Sequence, residues 1–574
     1  MAQEHRENPS QKTRKSSRRS AVWKVFKLDE AKPGKAQCSL CDKWFAYKTS
    51  TSNLSYHLKT HETPTAATIT TSQTLSDYQL TQQLLRWFVS DLRPISLVKG
   101  RGFIKFLQVL RPGWKPPHRS TLTRHLVSLK DNVFTKLVSV LEGASTLTLT
   151  TDCWTSIATQ SYIAVTAHWI DNCFCLHSHC LGVRLLAGPH TGQHLISAVE
   201  EICNSYKVWN KIIACTTDNA ANIVLGMGNT TFQHIRCAAH TLHLCALKAL
   251  EPVIEVINAA RKIAGFFHHS PKQLARLHEE QKLCQQKKHT IPIDSSTRWS
   301  STYNMLERLE ENKIPITTIF RETKHECPLS PLHWDLISFV IQLLKPLKDA
   351  TALLSAEKYV TLSFMTPLIK KLCKKYDTAI DKEPPQISQM RKMLSEQLSA
   401  RFDACNESHL LACVLDPRFR DLSLSRKECK LAKQFLTKEV LSLSSSSSSP
   451  SVSSSSSSSS SSSAQDAKKK QLSLDTFLEL DPPVADDQLS RYLTNPRISC
   501  KEDPLKWWQT YQTEFPLLAQ LAKRYLAYQA TSVACERVFS HAGYLVSKRR
   551  TRLTPESVET LVFLYENQDL LESP

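Results

Sequence analysis

Between residues 145 and 226 the apolar positions cluster in short runs rich in β-branched and aromatic residues: STLTLTTD, SYIAVTAHWI, CFCLHSHCLGVRLL and KIIACTTD. Runs of this length and composition predict strands. Between the third and the fourth, HLISAVEEICNSYKV spaces its apolar residues three and four apart, which predicts an amphipathic helix. Helical spacing also fills residues 80–142, broken by the Pro-rich stretch around Arg111–Pro117, then about 246–440, and again 485–571. Residues 63–79 are rich in Thr and Ser, and residues 441–470 contain a nearly pure Ser tract followed by a Lys run. Neither segment has apolar surface to bury, so both predict flexible linkers. The pattern therefore predicts a multidomain α/β chain: a mixed sheet with helical regions before and after it.

The 574 residues suffice for several domains. Lys plus Arg outnumber Asp plus Glu by 73 to 53, a formal charge of +20, which makes double-stranded DNA the first partner to test. The 18 Cys are scattered rather than regularly spaced, a pattern of reduced thiols rather than of a disulfide framework. The first 20 residues hold no apolar core, so a secretory signal is not expected, and no run is long enough to span a membrane. Only 12 Gly occur, with no GxGxxG or Walker loop. Residues 1–20 place Lys12, Arg14, Lys15, Arg18 and Arg19 close together. They read as a disordered basic tail, either simply solvated or serving nuclear import and phosphate contact.

Residues 21–62 carry Cys38-x2-Cys41-x15-His57-x3-His61. Two thiolates and two imidazoles make a closed tetrahedral shell for Zn, which marks a structural rather than a catalytic metal. The Cys pair suits a β-turn, and His57 and His61 fall on one face of a helix. Trp23 and Phe26 precede the pair and Trp44 and Phe45 follow it, aromatic packing that a module this small needs beside its metal. A small ββα-type finger is expected. Two strand-like runs end in carboxylates, STLTLTTD at Asp152 and KIIACTTD at Asp218. Three strands, a helix and a strand suit an RNase H-like sheet, whose first and fourth strands are neighbours. Such neighbours bring both carboxylates to one edge, where they could hold divalent ions or merely cap turns.

The finger, with its leading aromatics, CxxC and TSNLSYHLKTH, resembles a BED-type zinc finger. That resemblance implies DNA binding through the helix, with Lys48, Ser52, Asn53 and Ser55 as contact candidates. Further along, TLTTDCWTS, TTDNAANI, RCAAHTLHL, SSTRWSSTYNMLERL, VLDPRFR and ATSVACERVFSHAG follow in order. Together they resemble an hAT-superfamily transposase, and the whole chain resembles the BED zinc finger proteins derived from such enzymes. The resemblance implies an RNase H-like core over 145–245, an all-helical insertion over 246–440, and a C-terminal dimerisation region over 485–571 that completes the core. Residues 80–142 would be a helical region of DNA-binding or dimerisation type. The family's acidic triad falls on Asp152, Asp218 and Glu536, ligands for Mg or Mn. Its neighbours fall on Cys237 and His240 and on Arg298 and Trp299, the Trp implied to stack on an extruded base. His240 and Trp299 also read as ordinary packing residues.

Two functions are thus expected from different classes. One is a nuclear DNA-binding regulator of RNA polymerase II transcription, self-associating through its C-terminal region. The other is a DDE-type DNA transposase with two metal ions. A ubiquitin-type ligase would need a second interleaved Cys/His set, and the sequence offers only one. The apolar segments Tyr525–Phe539 and Leu561–Leu564 read either as pairing surface or as core of the chain itself.

Overall fold

The computed structural model describes residues 21–28, 33–46, 52–62, 75–295, 298–323, 325–402, 406–446, 484–546 and 553–572. The chain divides into two compact units, residues 1–82 and 83–574. Three short antiparallel strands form the first unit: β1 (Phe26–Leu28), β2 (Lys35–Cys38) and β3 (Trp44–Ala46), followed by helix α1 (Ser52–Glu62). The expected ββα finger thus has one strand more. β1 pairs with β2 from Phe26↔Cys38 to Leu28↔Ala36, which seats Phe26 in the core. Val22, Phe26, Ala36, Cys38 and Leu54 are buried, with Trp23, Phe45 and Leu58 packed on them.

Helix α2 (Asp77–Ser90) leads into the second unit, followed by α3 (Arg101–Leu110) and α4 (Arg119–Glu142). The break between α3 and α4 spans the expected Pro-rich stretch. The five-stranded sheet comprises β4 (Leu147–Thr155), β5 (Ser161–Ile170), β6 (Leu176–Leu185), β7 (Ile212–Thr217) and β8 (Gln233–Arg236), in the order β6-β5-β4-β7-β8. β4, β5 and β6 run as an antiparallel meander, while β7 lies parallel to β4 and β8 parallel to β7. The first and fourth strands of the sheet are neighbours, as expected. The fifth, β8, was not anticipated: QHIR is four residues long and has one fully buried side chain, so no apolar run announces it.

Helix α5 (Gly192–Ser205) makes the crossover from β6 to β7, and α6 (Ala221–Met227) follows β7. Their backbones touch at two glycines. A Cβ on Gly226 would lie 2.6 Å from the Gly192 carbonyl oxygen, so neither position accepts a side chain without displacement. A Cβ on Gly192 would lie 2.4 Å from the Asn222 carbonyl oxygen in the first turn of α6, so the packing of α5 on α6 reaches back toward the loop at Asp218.

The helical region starts at α7 (Ala238–Ala249) and continues through α8 (Ile254–His268), α9 (Pro271–Leu283), α10 (Trp299–Glu311), α11 (Lys313–Thr323), α12 (Pro331–Leu354), α13 (Met365–Asp377), α14 (Pro385–Arg401), α15 (Glu407–Val414) and α16 (Arg426–Ser446). α16 runs into the first serines of the stretch read as linker, whose remainder lies outside the described residues. The C-terminal region holds α17 (Val484–Thr494), α18 (Pro504–Tyr511), α19 (Pro516–Leu526), α20 (Val533–Leu545), α21 (Pro555–Glu566) and α22 (Gln568–Glu572). It is built into the second unit. Tyr525, Tyr528, Cys535, Val538, Leu561, Val562, Phe563 and Leu564 are all buried within the chain, so these two apolar segments are core rather than free pairing surface. Asn567 shows the same closure: it is buried, and its amide donates to the Cys180 carbonyl on β6 at 3.0 Å.

Candidate metal centre and active site

In the finger, Cys38 closes β2 and the chain turns at once. The Cys38 carbonyl accepts from Asp42 N–H at 2.9 Å, and its own N–H donates to the Lys43 carbonyl at 3.0 Å. Asp42 takes the left-handed conformation (φ 56°) that lets Cys41 face the helix. Cys41 Sγ lies 3.2 Å from His57 Nε2, and the His57 ring stacks on Phe45 at 4.0 Å. The ligand atoms of Cys38, Cys41 and His57 all lie within 4.8 Å of one another, the spacing of donors around one ion. Soft sulfur with imidazole fits Zn. His61 follows four residues later on α1, but its side chain, that of Ser52 and all of Lys48 lie outside the described residues. On α1, Asn53 and Tyr56 are exposed and Ser55 is half-buried.

The second constellation is assembled across the sheet. β4 and β7 pair in parallel at Thr148↔Ala214, Leu149↔Cys215 and Thr150↔Thr216. Continued by two residues, that register sets Asp152 opposite Asp218. Residues Leu147–Thr151 of β4 are buried, and the strand emerges at Asp152, which is half-buried. Glu536 lies in the first turn of α20 and is exposed. Buried threonines clamp the segment leading to it. Thr148 Oγ1 donates to the Ala527 carbonyl at 3.0 Å, Thr216 Oγ1 to the Gln529 carbonyl at 2.7 Å, and Thr150 Oγ1 lies 3.2 Å from Cys535 Sγ. On α7's side, Ala238 N–H donates to the Ala530 carbonyl at 2.8 Å, and Ser532 N–H approaches Cys237 Sγ at 3.4 Å. Cys237 is therefore a buried anchor for the approach to Glu536.

Burial, chiefly, and then the Asp218 carboxylate push the Asp152 carboxyl up to about 7. Cys153 N–H, donating to Asp152 Oδ1 at 2.7 Å, pulls the other way, and Glu536 adds to the rise. Carboxylates that oppose each other's ionisation favour a bound cation. The donor set is hard oxygen, as Mg or Mn requires. It is looser than the finger set, since the three carboxylates do not all lie within 4.8 Å of one another.

A cleft of about 470 Å³ opens beside these residues, lined by Asp152, Trp154, His240, Arg298, Trp299 and Glu536 among others. A smaller recess of about 70 Å³ lies between Asp152 and Asp218, where His190 and Asn222 join them.

Comparisons with known proteins match the regions in which the two constellations lie. Residues 20–61 match the BED zinc finger family, 150–233 the ZBED1 RNase-like domain, 235–343 the ZBED1 RNase-like helical domain, and 488–568 the hAT family C-terminal dimerisation region. The chain thus carries a region similar to a BED zinc finger and another similar to the hAT dimerisation region, with RNase-like regions between them. Residues 74–111 also match the Hermes transposase DNA-binding domain. A Zea mays protein named as an AC transposase is 28% identical over 508 residues, covering 82% of this chain and 62% of its own length. The human zinc finger BED domain-containing protein 4 is 26% identical over 513 residues, covering 86% of this chain and 44% of itself. The Arabidopsis thaliana protein DAYSLEEPER, also zinc finger BED domain-containing, is 22% identical over 623 residues, covering 96% and 88%. The chain thus spans less than two thirds of the first two relatives.

The residues that the resemblance pointed to fall at one cleft but in different settings. His240 and Arg298 line it, His240 half-buried and Arg298 exposed at the start of α10. Trp299 is 3% exposed and packs edge-on against Tyr303 at 6.5 Å, so most of its ring belongs to the core. The Trp299 backbone N–H donates to His243 Nδ1 at 3.4 Å. Sequence reasoning missed Trp154, His190 and Asn222. Trp154 had a legible signal: two residues past Asp152 on a strand, it shares that carboxylate's face. It stacks on Phe539 at 5.9 Å and leans on Tyr162 at 5.8 Å. His190 had none, because only the α5–α6 contact carries its loop to the site.

Proposed function

We propose that this chain is a nuclear, zinc-dependent protein that binds specific DNA sequences and regulates RNA polymerase II transcription, self-associating through its C-terminal region. The observation that carries this reading is the finger's donor set, with Cys38, Cys41 and His57 converging and His61 proposed as the fourth ligand. Zinc held there ties β2, the turn and α1 together. The exposed face of α1 is then turned to DNA, with Ser52, Asn53 and Ser55 of α1 as proposed contacts and Lys48 on the segment leading in. The net charge of +20 favours the phosphate backbone. Relatives named as zinc finger BED domain-containing proteins and as a transcriptional regulator support the regulatory part.

A second reading, a DDE-type DNA transposase, is favoured by one observation: the register that sets Asp152 opposite Asp218, with Glu536 beside them. These three would hold Mg or Mn, and divalent ions there supply Lewis-acid chemistry for phosphodiester cleavage. The side chains supply position: β4 and β7 hold two carboxylates in register, and Arg298 faces the cleft where a phosphate would lie.

The test is selection of DNA sites with the full chain, followed by incubation with Mg²⁺ or Mn²⁺ beside Asp152→Asn. Zinc-dependent, sequence-selective binding without strand cutting supports the regulator. Metal-dependent cutting that disappears in Asp152→Asn replaces it with the transposase. Binding that survives zinc removal at full affinity overturns the finger's role.

A further inference from the structure

Three parallel strand ends lie side by side at one edge of the sheet. β4 ends beyond Asp152, β7 stops just before Asp218, and β8 stops at Arg236, which pairs with Thr217. Adjacent strands lie about 4.8 Å apart, so Arg236 stands one strand spacing from Thr217, the residue before Asp218, at the same end of the sheet but on the other face from Asp218. This end of the sheet therefore carries two carboxylates, with a guanidinium one strand over and one residue earlier in register.

Arg236 lines a recess of about 200 Å³ with His234, Thr241, Arg401 and Asn406, over a floor that includes Phe402. This is smaller than the ~300 Å³ and upward that suits a drug-sized ligand, and it fits a small group. Among the described residues that line it there is no carboxylate, and neither guanidinium makes an ion pair within 4.0 Å among the described residues. Arg401, at the end of α14, donates from Nε to Gln397 Oε1 at 2.9 Å, which leaves its two terminal nitrogens for a ligand. Two unpaired guanidiniums sharing one recess repel each other, and an anion relieves that repulsion. His234 ties the recess to the acidic edge: one ring nitrogen lies 2.8 Å from Thr217 Oγ1, next to Asp218. Thr241 does the same, accepting at 2.8 Å from Asn219, the residue after Asp218.

We propose that the Arg236–Arg401 recess binds a backbone phosphate of DNA, the neighbour of the phosphodiester presented to Asp152, Asp218 and Glu536. The inference rests on the DNA-binding reading above and names a subsite for it. The recess is too small for a duplex. It holds one phosphate and fixes the direction in which a strand leaves the carboxylates.

The test uses the full chain, Arg236→Ala/Arg401→Ala, the charge-keeping Arg236→Lys/Arg401→Lys, and the finger variant Cys38→Ser. Inorganic phosphate is titrated by thermal shift, and a DNA duplex and its single strand by fluorescence anisotropy from 50 to 200 mM salt. Phosphate should stabilise the wild type and not the double alanine variant. DNA affinity in the second unit, read in the Cys38→Ser background, should fall about tenfold, with a salt slope shallower by ~1 to 2. The double lysine variant should fall between, because Lys keeps the charge and loses the forked geometry. Unchanged affinity and slope in the double alanine variant overturn the inference while leaving the DNA-binding reading intact. Phosphate binding lost with DNA binding unchanged also overturns it, and assigns the recess to a free phosphate or phosphomonoester. No DNA binding by any form, wild type included, overturns the reading on which it rests.

Discussion

The finger and the acidic edge both gather ligand-type side chains, by opposite routes. The finger's donors come from a window of 24 residues, and the turn at Cys38–Lys43 with the first turns of α1 brings them together. Asp218 and Glu536 are 318 residues apart, and nothing local relates them. Their meeting depends on Thr148, Thr150 and Thr216 of two strands holding the segment from Ala527 to Cys535 against the sheet. A locally closed site depends on its metal for its fold. A site assembled by the whole unit depends on the unit's core, and its like charges oppose the fold that creates them.

That contrast can be broken most directly in the finger. Cys38→Ser, or a chelator, should unfold residues 21–62, since structural Zn contributes ~10 kcal/mol or more to such modules. Sequence-selective DNA binding should go with it, while the melting of the second unit stays in place. Tryptic mapping with calorimetry checks this, and a finger that stays protease-resistant without metal would end the claim of metal-dependent folding.

The acidic edge should respond to packing instead. Gly226→Ala pushes a methyl group into the Gly192 carbonyl, a clash that should cost about 1–3 kcal/mol and loosen the Asp218 loop. A stability unchanged by denaturant titration would mean that α5 and α6 are not clamped there.

Asp152→Asn should do the reverse and stabilise the metal-free protein. The Asp152 carboxyl stands near 7 when folded, well above its ordinary value of 3.8, so ionisation is harder in the native state. The native state then binds more protons than the unfolded chain between those values, and stability falls as pH rises through that window. The wild type should match the Asn variant below about pH 4 and trail it by ~1–3 kcal/mol at pH 8. Mg²⁺ should close the gap by raising the wild-type Tm alone. A pH-independent difference would show that neither burial nor the neighbouring carboxylates hold Asp152 above its ordinary value.

The smallest effect is expected on the helix surface of the finger. Tyr56 is 77% exposed, so Tyr56→Ala should change finger stability by less than about 0.5 kcal/mol. Any larger change would mean that α1 packs differently from its exposed face.

These experiments also separate what was legible beforehand. Strands β4 to β7 announce themselves through Val, Ile, Thr and aromatic runs, while β8 does not, because QHIR lies at the sheet edge and carries little apolar surface. Apolar density in the C-terminal region was equally legible, but its destination was not. Leu561–Leu564 could have faced a second copy, and the structure buries all four within the chain. A C-terminal truncation near Asp503 should therefore damage the core as well as any pairing, and it is a poor test of self-association. The motif VLDPRFR carries three charged residues whose destination its sequence does not show. Here Asp416 is fully buried, ion-paired to Arg418 at 2.6 Å and bonded by Ser363, and Arg420 lies over Tyr492 and Trp507. It is a buried clasp between the helical region and the C-terminal helices.

By itself the sequence determined what is local. Ligand spacing, strand composition and the order of three strands, a helix and a strand all follow from residue types a few positions apart, because turn geometry and side-chain periodicity act over that range. Tertiary structure alone decided which carboxylate stands opposite which, that Trp299 is core while Trp154 faces the cleft, and that Arg236 and Arg401 share a recess. Those relations are set by sheet register and by close packing between segments hundreds of residues apart, and no short window of sequence encodes either.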